Sequence, residues 1–183
     1  MFWVITSSIF VVGMFSTGFA FHLISILGAQ GLGAPEAASN FLWQTVAAVV
    51  ATLALGSVID KIDPRYGLVV SMLTMAGSLV FLPFVEPGVS AIVFGLLLGA
   101  SMGALRGVDA AAFVRFYGRG HIGAIRGVAT SIGLASTALG PLYFALGLSL
   151  TGSYVIPSAF AALIPSVVAL ITLFVKPPAS LEG

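Results

Sequence analysis

The chain has 183 residues, 59% of them hydrophobic and only 7% charged, with a formal net charge of +1 at pH 7. Soluble domains run at roughly 45–50% apolar and about a quarter charged, so this composition, with a mean hydropathy of +1.15, excludes a soluble domain and points to an all-α integral membrane protein. Cysteine is absent, which excludes a disulfide framework, a thiolate metal site and a thiol nucleophile.

At roughly 20 apolar residues per crossing of a core of about 30 Å, the chain divides into six spans, at about 2–29, 36–59, 66–85, 89–113, 122–148 and 153–175. Together they form one membrane domain over 1–176, followed by a disordered tail over 177–183. Met1-Phe2-Trp3 lacks a basic n-region and the apolar run outlasts an h-region, so the first span is not read as a cleavable signal. Within it Gly18, His22, Ser25 and Ala29 share a helical face, with His22 about 10 Å below the nearer end. Pro35 stands where the first turn of the second span tolerates a missing N–H. Glu36, Asn40, Gln44 and Ala48 share one face of that span, and Asn40 and Gln44 fall at roughly the depth of His22. Histidine and two amides at one depth on adjacent antiparallel helices are expected to line a cavity, since polar groups inside a bilayer turn toward protein or water. An imidazole there also suits proton transfer. Plain helix-to-helix hydrogen bonding is the alternative for all three.

Asp63-Pro64 breaks the chain before the third span, and Glu86-Pro87-Gly88 ends it. The fourth span carries Gly95, Gly99, Gly103 and Gly107 at four-residue intervals, a stripe on which another helix can approach closely. Arg106 lies about 25 Å along this span, close to its far boundary, where arginine can snorkel. The fifth span repeats the small-residue spacing at Gly123, Gly127 and Ser131 and then meets Gly140-Pro141, where a kink is expected. The sixth span contains Pro157 and Pro165 and no charge before Lys176, so it and the third span are expected to be the most lipid-exposed.

Orientation follows from the basic residues. Lys61, Arg65, Arg115, Arg119, Arg126 and Lys176 all fall on one side of the alternating spans, whereas the opposite loops hold only Glu36 and Glu86. By the positive-inside rule both termini are cytoplasmic in a plasma or inner membrane.

Two of the cytoplasmic connections carry recognisable patterns. Gly56-Ser57-Val58-Ile59-Asp60-Lys61-Ile62-Asp63-Pro64-Arg65 resembles the G-x-x-x-D-[RK]-x-x-x-[RK] loop of the major facilitator superfamily. Phe116-Tyr117-Gly118-Arg119 with Gly123-Ala124-Ile125-Arg126-Gly127 resembles the loop between that family's tenth and eleventh helices. Leu139-Gly140-Pro141 and Thr151-Gly152-Ser153-Tyr154 resemble its eleventh helix. The resemblance covers the chain as a C-terminal half, helices seven to twelve. Phe21-His22-Leu23 with Gln30-Gly31-Leu32 looks closest to the monocarboxylate and oxalate–formate branch. It implies an inverted 3+3 helix repeat that moves a small solute by alternating access with a second six-helix half. That half is either an N-terminal counterpart or a second copy. The solute class implied is a monocarboxylate or similar organic anion, with protons as a coupling ion. The basic residue that such relatives often carry midway along the eighth or eleventh helix has no counterpart here. The resemblance also implies a cytoplasmic gate in which Gly56, Asp60, Lys61 and Arg65 of the loop work with Arg106 and Asp109, Asp109 receiving Lys61 or Arg65.

No H-E-x-x-H, Walker lysine loop or G-x-S-x-G occurs, so neither an enzyme, a metal, a cofactor nor a nucleic-acid partner is expected. The competing reading is a non-transporting six-helix membrane protein, an assembly partner or a remnant half.

Overall fold

Each apolar stretch folds as helix, because only there does an uninterrupted apolar segment satisfy its own backbone N–H and C=O groups. The structure, a computed structural model, describes residues 1–59, 61–118, 120 and 122–175. Asp60, Arg119, His121, Lys176 and the expected tail over 177–183 lie outside the described residues. The helices are α1 (Phe2–Ala29), α2 (Ala34–Val58), α3 (Pro64–Phe81, continued by a 3-10 turn over Leu82–Phe84), α4 (Val89–Tyr117), α5 (Ile122–Thr151), α6 (Val155–Ala161) and α7 (Leu163–Phe174). Taking α3 with its 3-10 turn and α6 with α7, six units are long and apolar enough to cross a membrane. Among the described residues there is no strand.

Local chemistry sets the ends. Asp63 caps α3, its carboxylate accepting from the Arg65 N–H at 2.9 Å, with Pro64 beginning the first turn. Gly118 ends α4 at φ 68°, a left-handed conformation that costs glycine nothing. The sixth span is divided rather than continuous. Pro165 has no N–H to offer the Ala161 carbonyl, and the helix turns at Ala162 before resuming. By contrast, α5 runs on through Pro141.

For α1 and α2 the principal partner is not the helix that follows in sequence. α1 packs chiefly on α5 and α2 chiefly on α4, while α3 lies between α4 and α7. Phe15, Phe19, Leu23, Phe94 and Phe144 are fully buried at the centre. The Phe19 ring there meets Phe94 edge-on at 5.4 Å and Phe144 at 4.9 Å, joining α1, α4 and α5.

Backbone contact makes both main seams. Along α4, a side chain at Gly95 would lie 2.9 Å from Asn40 Oδ1, those at Gly99 and Gly103 would meet the carbonyls of Gln44 and Ala48, and one at Gly107 would lie 3.0 Å from the Thr52 carbonyl. The stripe thus receives α2 over four successive turns. A second seam joins α1 to α5. A Cβ on Gly13 would lie 3.0 Å from the Gly133 carbonyl, one on Gly18 2.9 Å from that of Gly140, and one on Gly140 would meet the Met14 carbonyl. Gly123 and Gly127, expected from their spacing to pack another helix, face open space within this chain. The glycines that seat α5 on α1 are Gly133 and Gly140, because α1 crosses α5 farther along its length.

Coverage also differs from expectation. In their most apolar stretches, α3 and α4 are 56% buried, whereas α2 is 11% and α5 22% buried. The least covered helices are therefore α2 and α5, not the third and sixth spans. The reason is the crossed pairing, which places α3 between two neighbours and leaves α2 and α5 on opposite flanks.

Candidate functional site

Two clefts open on the face made by α1, α2, α4 and α5. The larger, about 480 Å³, is lined by Ser16, Gln44, Thr45, Thr52, Met102 and Arg106 among apolar side chains. The smaller, about 320 Å³, shares Ser16, Met102 and Arg106 and adds Asp109, Thr130 and Thr137. Met102, Arg106 and Asp109 follow one another at helical spacing, so one edge of α4 forms the ridge between the clefts. Arg106 is exposed and reaches both. A concave, mostly apolar surface with a few polar groups and one guanidinium can hold a small solute by shape and a single charged contact.

The four residues expected to line one cavity are turned to different neighbours. His22 donates from Nε2 to the Pro141 carbonyl on α5 at 3.1 Å, a partner that assigns the proton to Nε2. Its Nδ1 faces the Tyr154 hydroxyl at 3.5 Å, and that hydroxyl meets Ser25 Oγ at 2.9 Å. These contacts brace α1 against α5 and the start of α6. Asn40, only 2% exposed, occupies the space left by Gly95 and donates to the Ala91 carbonyl at 2.6 Å. Gln44 donates to Asn40 Oδ1 at 2.9 Å and lines the larger cleft. Equal depth did not bring His22 and Ser25 together with Asn40 and Gln44, because α1 packs on α5 and α2 on α4.

The gate residues are likewise distributed otherwise than expected. Arg65 is held by Asp63 Oδ2 at 2.9 Å and donates to the Val175 carbonyl at 2.9 Å, tying the α2–α3 connection to the end of α7. Asp109 pairs with Arg126 Nη2 of α5 at 3.5 Å. Lys61 is exposed, and Gly56 lies where its N–H would meet a side chain on Gly107. Asp60 lies outside the described residues. Arg115 donates to the Ile62 carbonyl at 2.6 Å. Thus Arg65 and Arg115 fasten one end of the bundle to backbone carbonyls. At the other end Glu36 accepts from the Gly88 N–H at 2.8 Å.

Sequence reasoning missed Ser16, Thr52, Thr130 and Thr137 as cleft residues. Small hydroxyl side chains are common in membrane helices, where they bond to the preceding turn, as Thr52 does to Ala48. The available signal was the helical register of Met102, Arg106 and Asp109, which marks a polar edge beside the glycine stripe. Among the described residues no three His, Asp or Glu side chains converge to hold a metal. Compared with known proteins, the chain matches no family model and no curated protein.

Proposed function

We propose that the chain is one half of a secondary transporter and that the face of α1, α2, α4 and α5 lines the path of a small solute against a second six-helix unit. The observation that carries this reading is the coincidence of two features. The mostly apolar clefts around Arg106 lie on the face flanked by α2 and α5, the two helices the chain covers least. An apolar face this open, rimmed by polar groups, fits a protein partner.

Three further points support it. The loop from Gly56 to Arg65 resembles the major facilitator signature. The pairing of α1 with α5 and of α2 with α4 maps onto itself when the first three spans exchange with the last three, as an inverted repeat requires. The one-sided Lys and Arg distribution fits cytoplasmic termini in a cell membrane. Arg106 gives the path a cation, which fits a monocarboxylate or similar organic anion.

Two measurements test the reading. Single cysteines at Val49 of α2 and Leu142 of α5, both exposed, should cross-link to a second copy or to a co-expressed six-helix half in native membranes. Uptake of small carboxylates by that assembly should be lost in Arg106→Gln while its melting temperature stays within about 2 °C, since an exposed side chain contributes little to stability. Uptake that survives Arg106→Gln, or a monomer that transports alone, would refute it. An assembly that forms and moves no solute would support the non-transporting alternative.

A further inference from the structure

The larger cleft is a trough with a charge at one end. Gly95, Gly99, Gly103 and Gly107 of α4 meet Asn40, Gln44, Ala48 and Thr52 of α2 in that order. Arg106 therefore stands near the level of Thr52, and Phe41 near that of Gly95. Both ends line the cleft, and the eleven residues from Phe41 to Thr52 span about 17 Å of helix. Few free donors lie between them. The Thr45 and Thr52 hydroxyls donate to the Phe41 and Ala48 carbonyls, and Gln44, only 8% exposed, donates to Asn40. Ser16, which lines both clefts as Arg106 does, adds one hydroxyl, while Ala20, Val49 and Leu53 make the wall apolar. Among the described residues no hydrogen bond or ion pair forms at Arg106, and Asp109 one turn on is engaged by Arg126.

We propose that this trough binds a single-chain amphiphilic carboxylate, its head on the Arg106 guanidinium and an alkyl chain of about twelve carbons lying toward Phe41. Depth makes the charge decisive. α4 continues past the apolar run to Tyr117, eleven residues or about 16 Å beyond Arg106. Its 29 residues span about 43 Å, so it overhangs a core of about 30 Å by roughly 7 Å at each end. Arg106 then sits about 10 Å inside the core, deeper than the apolar run alone suggested, where a cation needs an anion or water. A carboxylate can accept two parallel N–H bonds from a guanidinium. A partner side chain would meet Arg106 alone, whereas the trough running from it calls for an occupant charged at one end and apolar along its length. An extended chain advances about 1.25 Å per carbon with bonds near 1.5 Å, so about 17 Å holds twelve to fourteen carbons. The cleft volume of about 480 Å³ leaves room for its width.

The proposal rests on the reading of this face as a solute path and narrows the solute to carboxylates with a long apolar tail. The test measures binding of radiolabelled dodecanoate to the whole purified protein in detergent at about pH 8, where the carboxylate is ionised, with butanoate and dodecanol as competitors. Partition into the micelle is the same for parent and variants, so differences between them read the site. The parent should prefer dodecanoate to dodecanol about tenfold, as expected of a charge-assisted hydrogen bond. Arg106→Gln should abolish that preference and Arg106→Lys, which keeps the charge, should retain most of it. Ala20→Phe, at an exposed position lining the trough, should weaken dodecanoate about tenfold by filling the space of its tail and leave butanoate unchanged. Equal affinity for dodecanoate and dodecanol, a preference that survives Arg106→Gln, or dodecanoate binding untouched by Ala20→Phe would overturn the site. Loss of the assembly in Arg106→Gln with dodecanoate still bound would overturn it in favour of a partner's carboxylate on Arg106. Butanoate uptake that depends on Arg106, with no preference for dodecanoate over dodecanol, would overturn the amphiphile alone. Dodecanoate held at Arg106 by an assembly that moves no carboxylate would overturn the transport reading and support the site.

Discussion

Replacing Gly99 by alanine should test whether the α2–α4 seam depends on direct backbone contact. A Cβ at Gly99 would overlap the Gln44 carbonyl oxygen and would lie 2.7 Å from both the carbonyl carbon and Cα of Gln44, against an ordinary contact distance of at least 3.4 Å. No rotamer relieves this, because the obstructing atoms are backbone. The oxygen is the nearest obstacle, so α2 must withdraw by about 1 Å, a gap that forfeits about half of the dispersion attraction between the facing atoms. The same withdrawal lengthens the Asn40 bond to Ala91 and the Thr52 bond to Gly103, now 2.6 and 3.1 Å. Overpacking of this kind costs about 2–3 kcal/mol. In a chain of this length that corresponds to a fall of about 5–10 °C in melting temperature. Gly127→Ala is the control, since nothing lies within 4 Å of its added methyl and alanine is the better helix former by up to about 1 kcal/mol. Thermal unfolding in detergent, followed by tryptophan fluorescence, should separate the two variants. A Gly99→Ala melting temperature within about 1 °C of the parent would refute the reasoning, as would an equal loss in Gly127→Ala.

Tyr154→Phe should cost about 1–2 kcal/mol, because it removes the hydroxyl that bridges Ser25 and His22 and leaves both without that partner. A melting temperature unchanged in Tyr154→Phe would show that the bridge does not hold α1 to α6. Asp63→Ala should cost about 1 kcal/mol through the lost cap of α3. It should also free Arg65 from its brace, raising protease sensitivity at the α2–α3 connection; unchanged cleavage there would argue against the brace.

Certain features of this protein are properties of one helix at a time, and those were legible in its sequence. Six apolar stretches of crossing length, the capping potential of Asp63-Pro64 and the smooth stripe from Gly95 to Gly107 each follow from residues close in the chain. Span ends moved by a few residues, as between 89–113 and Val89–Tyr117, because amphipathic ends continue as helix beyond the apolar run. Tertiary structure decided which faces meet. The small-residue pattern at Gly123 and Gly127 is of the same kind as that of α4, yet on α5 it is Gly133, Gly140 and Gly147 that receive a neighbour. His22, Asn40 and Gln44 share a depth, which helix rise reports, but not a direction around the bundle, which rise leaves open. That direction came from the crossed pairing of α1 with α5 and α2 with α4. This pairing is also what set Arg106 between two clefts. Length and composition act along the chain, whereas the azimuth of a side chain is fixed only when a second helix packs beside it.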